Sequence, residues 1–379
     1  MVVPRATPGT RHTFSQEPNM RHHAPPSVRR TVATLVAFIG ALTLVAGCGS
    51  DDGDNGTSSS ADAAKTRNLV VYSGREKELA EPIYEAFTKE TGIEVEARFA
   101  DSAALAAQLQ EEGDRSPADV FYAQDAGVMG AVSGQLAKLP ADSIKDVAEQ
   151  LRDSDGRWAG VTARARVLAY NTEEVKEGDL PTSVLDMTDP RWKGMIGVAP
   201  TNASFIAFVS ALRLQVGDAA ARKFLEGLKA NDARIYEKNG AIVDAVGSGE
   251  IKVGLVNHYY LYEKLGVDAD LPIANHYFAP GDTGSFVNVS AVGILESAEH
   301  SDEAQEFVEF LLGSGQELVV TDLAEREYPV IEAAVADNER YQELPPLDEL
   351  LAEQEIALSE LGAELEATVA LIDEVGLGA

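Results

Sequence analysis

Two hydrophobic periods alternate along residues 67–125, one of two residues and one of about 3.6. Short apolar runs predict buried strands. Apolar residues three or four positions apart predict helices, with Ser102 as a cap and with Gly92 and Gly113 as stops. The predicted elements are, in order, a strand over 69–72, a helix through 79–87, a strand over 93–99, a helix over 102–112 and a strand over 118–122. Strands and helices in alternation indicate a parallel sheet with right-handed crossovers.

The same alternation restarts in the middle of the chain. It predicts strands over 167–170, 196–198, 251–256 and 286–295, and helices over 205–216 and 219–228. The tail over 347–375 reads as helical, because Leu358, Leu361, Leu365, Val369 and Ile372 recur at helical spacing. The sequence therefore predicts two α/β lobes, with a ligand cleft beyond the carboxyl ends of the strands and closure by hinge bending.

The first 66 residues are of a different kind. Arg29 and Arg30 precede an uncharged apolar run, and Val45-Ala46-Gly47 closes it before Cys48. A positive segment, an apolar segment and small residues before a cut describe a secretory signal over 1–47. Cys48 after Val-Ala-Gly resembles the bacterial lipobox, in which the cysteine is lipidated. Residues 48–66 then form a Gly-, Ser- and Asp-rich tether.

Charge and cysteine content exclude several classes of function. The 379-residue chain has a net charge of −31, and residues 1–47 contribute +4, which leaves −35 for the remainder. Such a field repels nucleic acid. Cys48 is the single cysteine, so neither an intrachain disulfide nor a thiolate metal cluster can form. The motifs of serine hydrolases, zinc peptidases and phosphate-loop enzymes are absent from the sequence, although a hydrolase with two carboxylates stays open.

Six short stretches, in order, resemble the iron-binding branch of the periplasmic binding proteins, the ferric-binding proteins of bacterial ABC importers. They are Val71-Tyr72-Ser73-Gly74-Arg75, residues 111–122, Arg164-Ala165-Arg166-Val167, Pro200-Thr201-Asn202, Lys238-Asn239 and residues 254–260. The resemblance implies a two-lobed fold of the class II type. The expected divisions are an N-lobe of residues 67–163 plus 290–325, a C-lobe of 164–289, and C-terminal helices over 326–379 that pack on the lobes.

The resemblance also implies that Tyr259 and Tyr260 are phenolate ligands of Fe(III). Ferric iron is a hard cation that prefers anionic oxygen. A tyrosine has a pKa of about 10, but a bound cation favours its deprotonated form, so binding releases protons. The pair sits where a strand gives way to a helix, which lets both side chains reach one cleft. The alternative is that the two rings pack beneath the helix.

The other half of the site departs from the family. Where many members carry a histidine and a glutamate, this chain has Glu76 and Gln124, with Asp125 beside the latter. Glu76 is either a ligand or a helix-start carboxylate, and Asp125 is a minority candidate. A third tyrosine of some members is replaced by Phe205.

This shortfall implies an exogenous anion such as carbonate or phosphate. The resemblance assigns it to the loop Thr201, Asn202, Ala203 and Ser204 at a helix start, where amide N–H groups favour an anion. Asn239 and Asn257 match further anion-side positions. Arg164 either pairs with the anion or forms an interlobe salt bridge.

The resemblance further implies partners and a location. We expect an ABC permease and ATPase as partners, a monomeric protein that contacts the membrane through its lipid anchor alone, and export to the outer face of the cell membrane. Two alternatives remain. One is a protein of the same fold that binds thiamine, a polyamine or a phosphonate-like anion, and the other is the carboxylate hydrolase.

Overall fold

The computed structural model describes residues 67–321, 326–331, 333, 341 and 344–378. The predicted signal segment, Cys48 and the tether over 48–66 lie outside the described residues. None of the described helices combines the length and apolar character that a membrane crossing requires.

The described strands form one mixed sheet of ten strands. Eight of them follow the order β2-β1-β3-β9-β4-β7-β5-β6, and β8 and β10 also pair with β4. The strands are β1 (Asn68–Ser73), β2 (Glu94–Phe99), β3 (Val120–Ala123), β4 (Ala159–Asn171), β5 (Ile196–Val198), β6 (Arg234–Ile235), β7 (Val253–Asn257), β8 (Ile273–His276), β9 (Val287–Ile294) and β10 (Tyr328–Pro329). The β1, β2 and β3 strands are parallel to one another, as are β5, β6 and β7, so the predicted parallel pairing is confirmed.

Strand β4 connects the two halves of the sheet. From Ala159 to Ala165 it pairs with β9, and from Arg166 to Tyr170 it pairs with β7. The sequence predicts only 167–170 of this strand, because Thr162, Arg164 and Arg166 interrupt its apolar pattern.

Helices flank both halves of the sheet, as the sequence predicts. They are α1 (Lys77–Thr91), α2 (Ser102–Glu112), α3 (Ala126–Val132), α4 (Ala141–Ile144), α5 (Ala203–Val216), α6 (Asp218–Ala230), α7 (Asn239–Gly247), α8 (Tyr259–Val267), α9 (Ser301–Leu312), α10 (Gly315–Thr321), α11 (Leu347–Leu351) and α12 (Leu361–Val375). The mixed α/β fold class is therefore confirmed.

The described residues form three apolar clusters in the interior. One packs around β1, β3, β9 and the first part of β4. The other two lie on opposite faces of the second half of the sheet, since Leu168 belongs to one and its neighbours Val167 and Ala169 to the other. Successive side chains of β4 thus fill two separate cores.

The start of α2 differs from the prediction. Asp101 is the cap, and its carboxylate accepts hydrogen bonds from the N–H groups of Ala103 and Ala104. Ser102 is instead the first helical residue. Its hydroxyl accepts the N–H of Gln124 at 3.0 Å and donates to the carbonyl of Gly74 at 3.4 Å. A Cβ on Gly74 would lie 1.9 Å from this hydroxyl, so only glycine fits that turn.

The predicted single tail helix is wrong, since α11 ends at Leu351 and α12 begins at Leu361. Between them, the Gln354 amide pairs with the backbone of Val287, accepting its N–H at 2.7 Å and donating to its C=O at 3.1 Å. This contact holds the chain away from a helical path. Leu365 and Val369 are 39% and 38% exposed, so they are not core residues as their spacing suggested.

The α12 helix also joins the cores. Leu361 at its start belongs to the first core, and Leu371, Ile372 and Val375 at its end belong to one core of the second half. Its backbone lies close to α3, since a Cβ on Gly362 would come within 2.4 Å of the Gly127 carbonyl oxygen.

Candidate functional site

A cleft of about 670 Å³ lies at the carboxyl ends of β1, β3, β5 and β7. This is the edge where open α/β sheets bind ligands. Eleven of the twelve predicted metal and anion residues line it. They are Glu76, Gln124, Asp125, Arg164, Thr201, Asn202, Ala203, Ser204, Asn257, Tyr259 and Tyr260. The twelfth, Asn239, lies behind the wall.

Tyr259 and Tyr260 are the first two residues of α8, directly after β7. Their ring centroids are 4.5 Å apart with an angle of 31° between the planes. Burial raises the pKa of Tyr259 well above its usual value, and Tyr260 and Glu327 add to this effect while Arg164 opposes it. The positive end of the α8 dipole favours a negative charge at the same place. Tyr259 is therefore protonated in the apoprotein, and a bound cation would favour its phenolate form.

Sequence reasoning missed Arg166, a cation beneath the tyrosine pair. It is 2% exposed and donates to Ser204 Oγ at 3.1 Å, to Asn257 Oδ1 at 3.4 Å and to the Leu255 carbonyl at 2.7 Å. Within the described part of the chain it has no carboxylate partner. Burial lowers the pKa of Arg166 to about 9, and Tyr260 and Tyr259 oppose this shift.

The loop from Thr201 to Ser204 forms the start of α5. Asn202 is the helix cap and accepts hydrogen bonds from the Ser204 N–H at 3.1 Å and the Ser204 hydroxyl at 2.6 Å. Asn239 supports the loop from behind, because its amide donates to Ser204 Oγ at 2.9 Å. Arg166 donates to the same hydroxyl, so a buried cation lies behind the helix start that lines the cleft.

The opposite wall carries a second set of buried polar groups. Arg75 donates to Gln124 Oε1 at 2.6 Å. Asp125 caps α3, accepting the Gly127 N–H at 2.8 Å, and its other oxygen accepts from Asn288 and lies 3.8 Å from Arg164 Nη2. Burial raises the pKa of Asp125, although Arg164 opposes the shift. The oxygens of Gln124 and Asp125 are thus already engaged.

Glu76 differs from these two. It is exposed, it is the residue before α1, and its side chain makes no capping hydrogen bond. Among the described residues its carboxylate has no ion-pair or hydrogen-bond partner. Of the three candidate ligands on this wall, Glu76 is the one whose oxygens are available.

His258 precedes the tyrosine pair and is fully buried. Its Nε2 donates to the Arg326 carbonyl at 2.9 Å, and its Nδ1 accepts the Ala165 N–H at 3.2 Å. Burial lowers the pKa of His258 to about 4, so the ring is neutral near pH 7. Its two nitrogens are both engaged, so it is not a metal ligand in this arrangement.

Two comparisons define the class of protein. Residues 115–348 match the family described as bacterial extracellular solute-binding protein, which is more than half of the chain. The chain belongs to this family. The prediction of a binding protein rather than an enzyme is confirmed, because the relatives are iron-binding proteins.

Particular relatives narrow the class. The Fe(3+)-binding periplasmic protein of Serratia marcescens is 36% identical over 292 residues, which cover 76% of this chain and 85% of the relative. The crystal structure of iron-bound HitA from Pseudomonas aeruginosa is 36% identical, covers 82% of this chain and 99% of that one, and has a TM-score of 0.74. The structure of Trichodesmium IdiA (FutA) with iron and citrate is 26% identical at a TM-score of 0.69, with coverage of 82% and 99%. The predicted two-lobed fold is confirmed.

Proposed function

We propose that this protein captures ferric iron in the cleft, with Tyr259 and Tyr260 as phenolate ligands, and delivers it to an ABC permease and its ATPase. The observation that carries the proposal is the position of two tyrosines on the first turn of α8, at the carboxyl end of β7. The described residues contain no group of three or more His, Cys, Asp or Glu side chains arranged to hold a metal. Phenolate and exogenous oxygen ligands therefore fit this cleft better than a carboxylate or histidine cluster does.

Charge balance supports a bound anion. The buried side chains around the cleft include three cations, Arg75, Arg164 and Arg166, and two carboxylates, Asp125 and Glu327. Fe(III) with two phenolates adds one further positive charge, which makes an excess of two. Glu76 as a ligand would offset one of these charges and a bound anion the rest, and an unneutralised excess at a buried site is unfavourable.

Carbonate and phosphate fit this requirement, and so does a carboxylate chelator. Citrate accompanies iron in the Trichodesmium structure, and the volume of the cleft exceeds that of a metal ion with one small anion. The loop from Thr201 to Ser204, with Arg166 behind it, is the proposed anion site, and Arg164 faces it from the opposite wall. Glu76 is the proposed ligand from that wall.

The experiment is a titration of apoprotein with ferric citrate, followed by visible absorption. We expect a tyrosinate-to-iron band in the wild type and its loss when Tyr259→Phe and Tyr260→Phe are combined. Tyr236→Phe is the matched control, because this tyrosine bonds Glu250 at 3.1 Å outside the cleft. Retention of the band in the double variant would show that other residues bind the metal.

A second titration tests the anion. Apoprotein in anion-depleted buffer should bind iron weakly, and added carbonate, phosphate or citrate should strengthen binding. Ser204→Ala should reduce this gain, because Ser204 Oγ links Arg166 and Asn239. Equal ferric affinity with and without anion would exclude the proposed role of the loop.

The lobes are proposed to divide at 163/164 and at 289/290. The change of partner along β4 between Ala165 and Arg166 supports this division. Small-angle scattering should show a smaller radius of gyration after iron is added, and an unchanged radius would argue against hinge closure.

Lipid anchoring is proposed from Cys48. Cys48→Ser should move the exported protein from the membrane fraction to the soluble fraction. An unchanged membrane fraction would argue against lipidation at this residue.

A further inference from the structure

The four-residue segment from Arg326 to Pro329, here called the 326–329 segment, contacts both walls of the cleft without lining it. Its residues Tyr328 and Pro329 form β10 and pair with Ala163 and Thr162 of β4. This pairing fixes the segment beside the point where β4 changes partner. From this position, Glu327 contacts a residue of one cleft wall, and Arg326 and Tyr328 contact His258 at the other.

On the wall of the cleft that carries Glu76, Glu327 pairs with Arg75. The Glu327 Oε2 atom accepts from Arg75 Nη2 at 2.8 Å and Oε1 accepts from Nη1 at 3.3 Å. The two side chains are only 3% and 1% exposed. Although burial raises the pKa of Glu327, Arg75 and Arg164 outweigh it, and the pKa is lowered overall. Glu327 is therefore a carboxylate at neutral pH and neutralises a cation in the cleft wall.

Arg75 is itself part of that wall. It lines the cleft, and its Nη1 also holds the side-chain oxygen of Gln124 at 2.6 Å. Glu327 thus fixes the position of Arg75, and Arg75 fixes that of Gln124. Without Glu327, the guanidinium would carry an unbalanced positive charge beside the metal position.

On the wall that carries Tyr259 and Tyr260, the same segment contacts His258. The carbonyl of Arg326 accepts the Nε2–H of His258 at 2.9 Å, and the Tyr328 ring lies 4.7 Å from the imidazole between centroids. The other edge of His258 meets Tyr259, with centroids 5.8 Å apart and an interplanar angle of 83°. Arg326 has a φ of 49°, in the left-handed region that non-glycine residues rarely adopt. This backbone conformation is strained, and strain of this kind persists where surrounding contacts maintain it.

We propose that the 326–329 segment is a positioning element for both halves of the site, with Glu327 neutralising and orienting Arg75, and with Arg326 and Tyr328 orienting His258 beneath Tyr259. This inference rests on the proposed ferric function. Neither Glu327 nor His258 contacts the metal in this scheme. The proposal has two parts that make different predictions. The charge arm is the neutralisation of Arg75 by Glu327, and the geometry arm is the orientation of Tyr259 through His258.

The charge arm predicts weaker binding with an unchanged spectrum. An unbalanced cation repels Fe(III) at short range in a partly buried cleft, which should lower ferric affinity by at least about tenfold. Glu327→Gln should show this loss with the tyrosinate band at its normal wavelength, because the two phenolates are untouched. Combining it with Arg75→Gln removes both charges and should restore affinity to within about threefold of the wild type.

The geometry arm predicts the converse. His258→Ala should alter the wavelength or intensity of the tyrosinate band, because Tyr259 loses the ring that fixes its orientation. His258→Gln keeps a donor and an acceptor and should restore part of the normal band. Loss of folding alone would not produce these two opposite spectroscopic results.

The experiment measures band and ferric affinity for these variants, with thermal unfolding to verify that each is folded. Glu303→Gln is the matched control, because Glu303 also pairs with an arginine, Arg67, at 3.1 Å but away from the cleft. If Glu327→Gln does not fold, the double variant still carries the test, because it buries no unpaired charge.

The outcomes separate the two hypotheses. A wild-type protein without the band overturns both the ferric function and this inference. If the wild type shows the band, then normal ferric affinity in Glu327→Gln overturns the charge arm alone. A double variant whose ferric affinity is no higher than that of the single variant does the same. An unchanged band in His258→Ala overturns the geometry arm.

Discussion

Arg166→Met should make the apoprotein more stable and should weaken its affinity for ferric iron. Arg166 is 2% exposed, lies within 5.8 Å of the Phe205 and Phe208 ring centroids, and has no carboxylate partner among the described residues. Methionine has a similar length, is apolar and adapts to irregular space. The substitution therefore removes a buried charge while keeping most of the packing.

The magnitude follows from the pKa of Arg166, which burial lowers from 12.5 to about 9. At about 1.4 kcal/mol per unit, keeping this cation charged destabilises the folded state by about 5 kcal/mol. The three hydrogen bonds that it donates offset about 3 kcal/mol. Arg166→Met should thus raise the free energy of unfolding of the apoprotein by about 1–2 kcal/mol.

The effect has a defined pH dependence. A lowered folded-state pKa means that the charged form is disfavoured by folding, fully so at any pH below about 9. The advantage of Arg166→Met should therefore be constant from neutral pH up to about 9. It should shrink above that pH, as the folded wild type begins to lose the proton.

Urea unfolding of apoprotein, followed by circular dichroism, measures the stability, and ferric titration with carbonate present measures the affinity. We expect ferric affinity to fall about tenfold, because the positive charge behind the proposed anion loop is lost and Ser204 loses a donor. Arg213→Met is the matched control, because Arg213 pairs with Asp218 at 2.8 Å and Glu364 at 2.9 Å away from the cleft. It should lower stability and leave ferric affinity unchanged. An Arg166→Met apoprotein that is less stable than the wild type by about 1 kcal/mol or more would contradict this prediction.

Three further predictions are independent of that one. Burial raises the pKa of Tyr259, so forming its phenolate releases a proton on iron binding. With two phenolate ligands, ferric affinity should fall about 100-fold for each unit decrease in pH, measured against a competing chelator. A pH-independent affinity would contradict phenolate ligation. Glu76→Ala should weaken ferric affinity by about tenfold, because Glu76 has the available carboxylate among the candidate ligands on its wall of the cleft. Unchanged affinity would mean that the anion, and not Glu76, occupies that coordination position. Gly362→Val places a Cβ within 2.4 Å of the Gly127 carbonyl oxygen. It should lower the free energy of unfolding, measured with urea, by about 2–4 kcal/mol. A change below about 0.5 kcal/mol would mean that α12 and α3 separate easily.

The setting of the tyrosine pair could be predicted because it is local. An apolar run that passes into a helix is visible in the sequence, and it fixes where Tyr259 and Tyr260 emerge. The helix start after the proposed anion loop could be predicted for the same reason, since Asn202 caps the helix that follows it.

The buried charges could not be predicted in this way. Arg75 and Arg166 lie within the motifs that the sequence singles out, but their roles depend on contacts across 252 and 91 positions of the chain, with Glu327 and Asn257. Leu365 shows the reverse error. Its spacing matches a core face, but it lines the cleft, because α12 passes from one core to another and leaves its middle uncovered.

The path of α12 has a consequence for how the chain is made. Leu361 and Ile372 complete different cores, and both belong to a helix that is synthesised after every described strand. Neither core can close its apolar surface until α12 has left the ribosome. Nascent chains and products truncated before Leu361 should therefore be targets for chaperones and proteases, which links production of this protein to synthesis of α12.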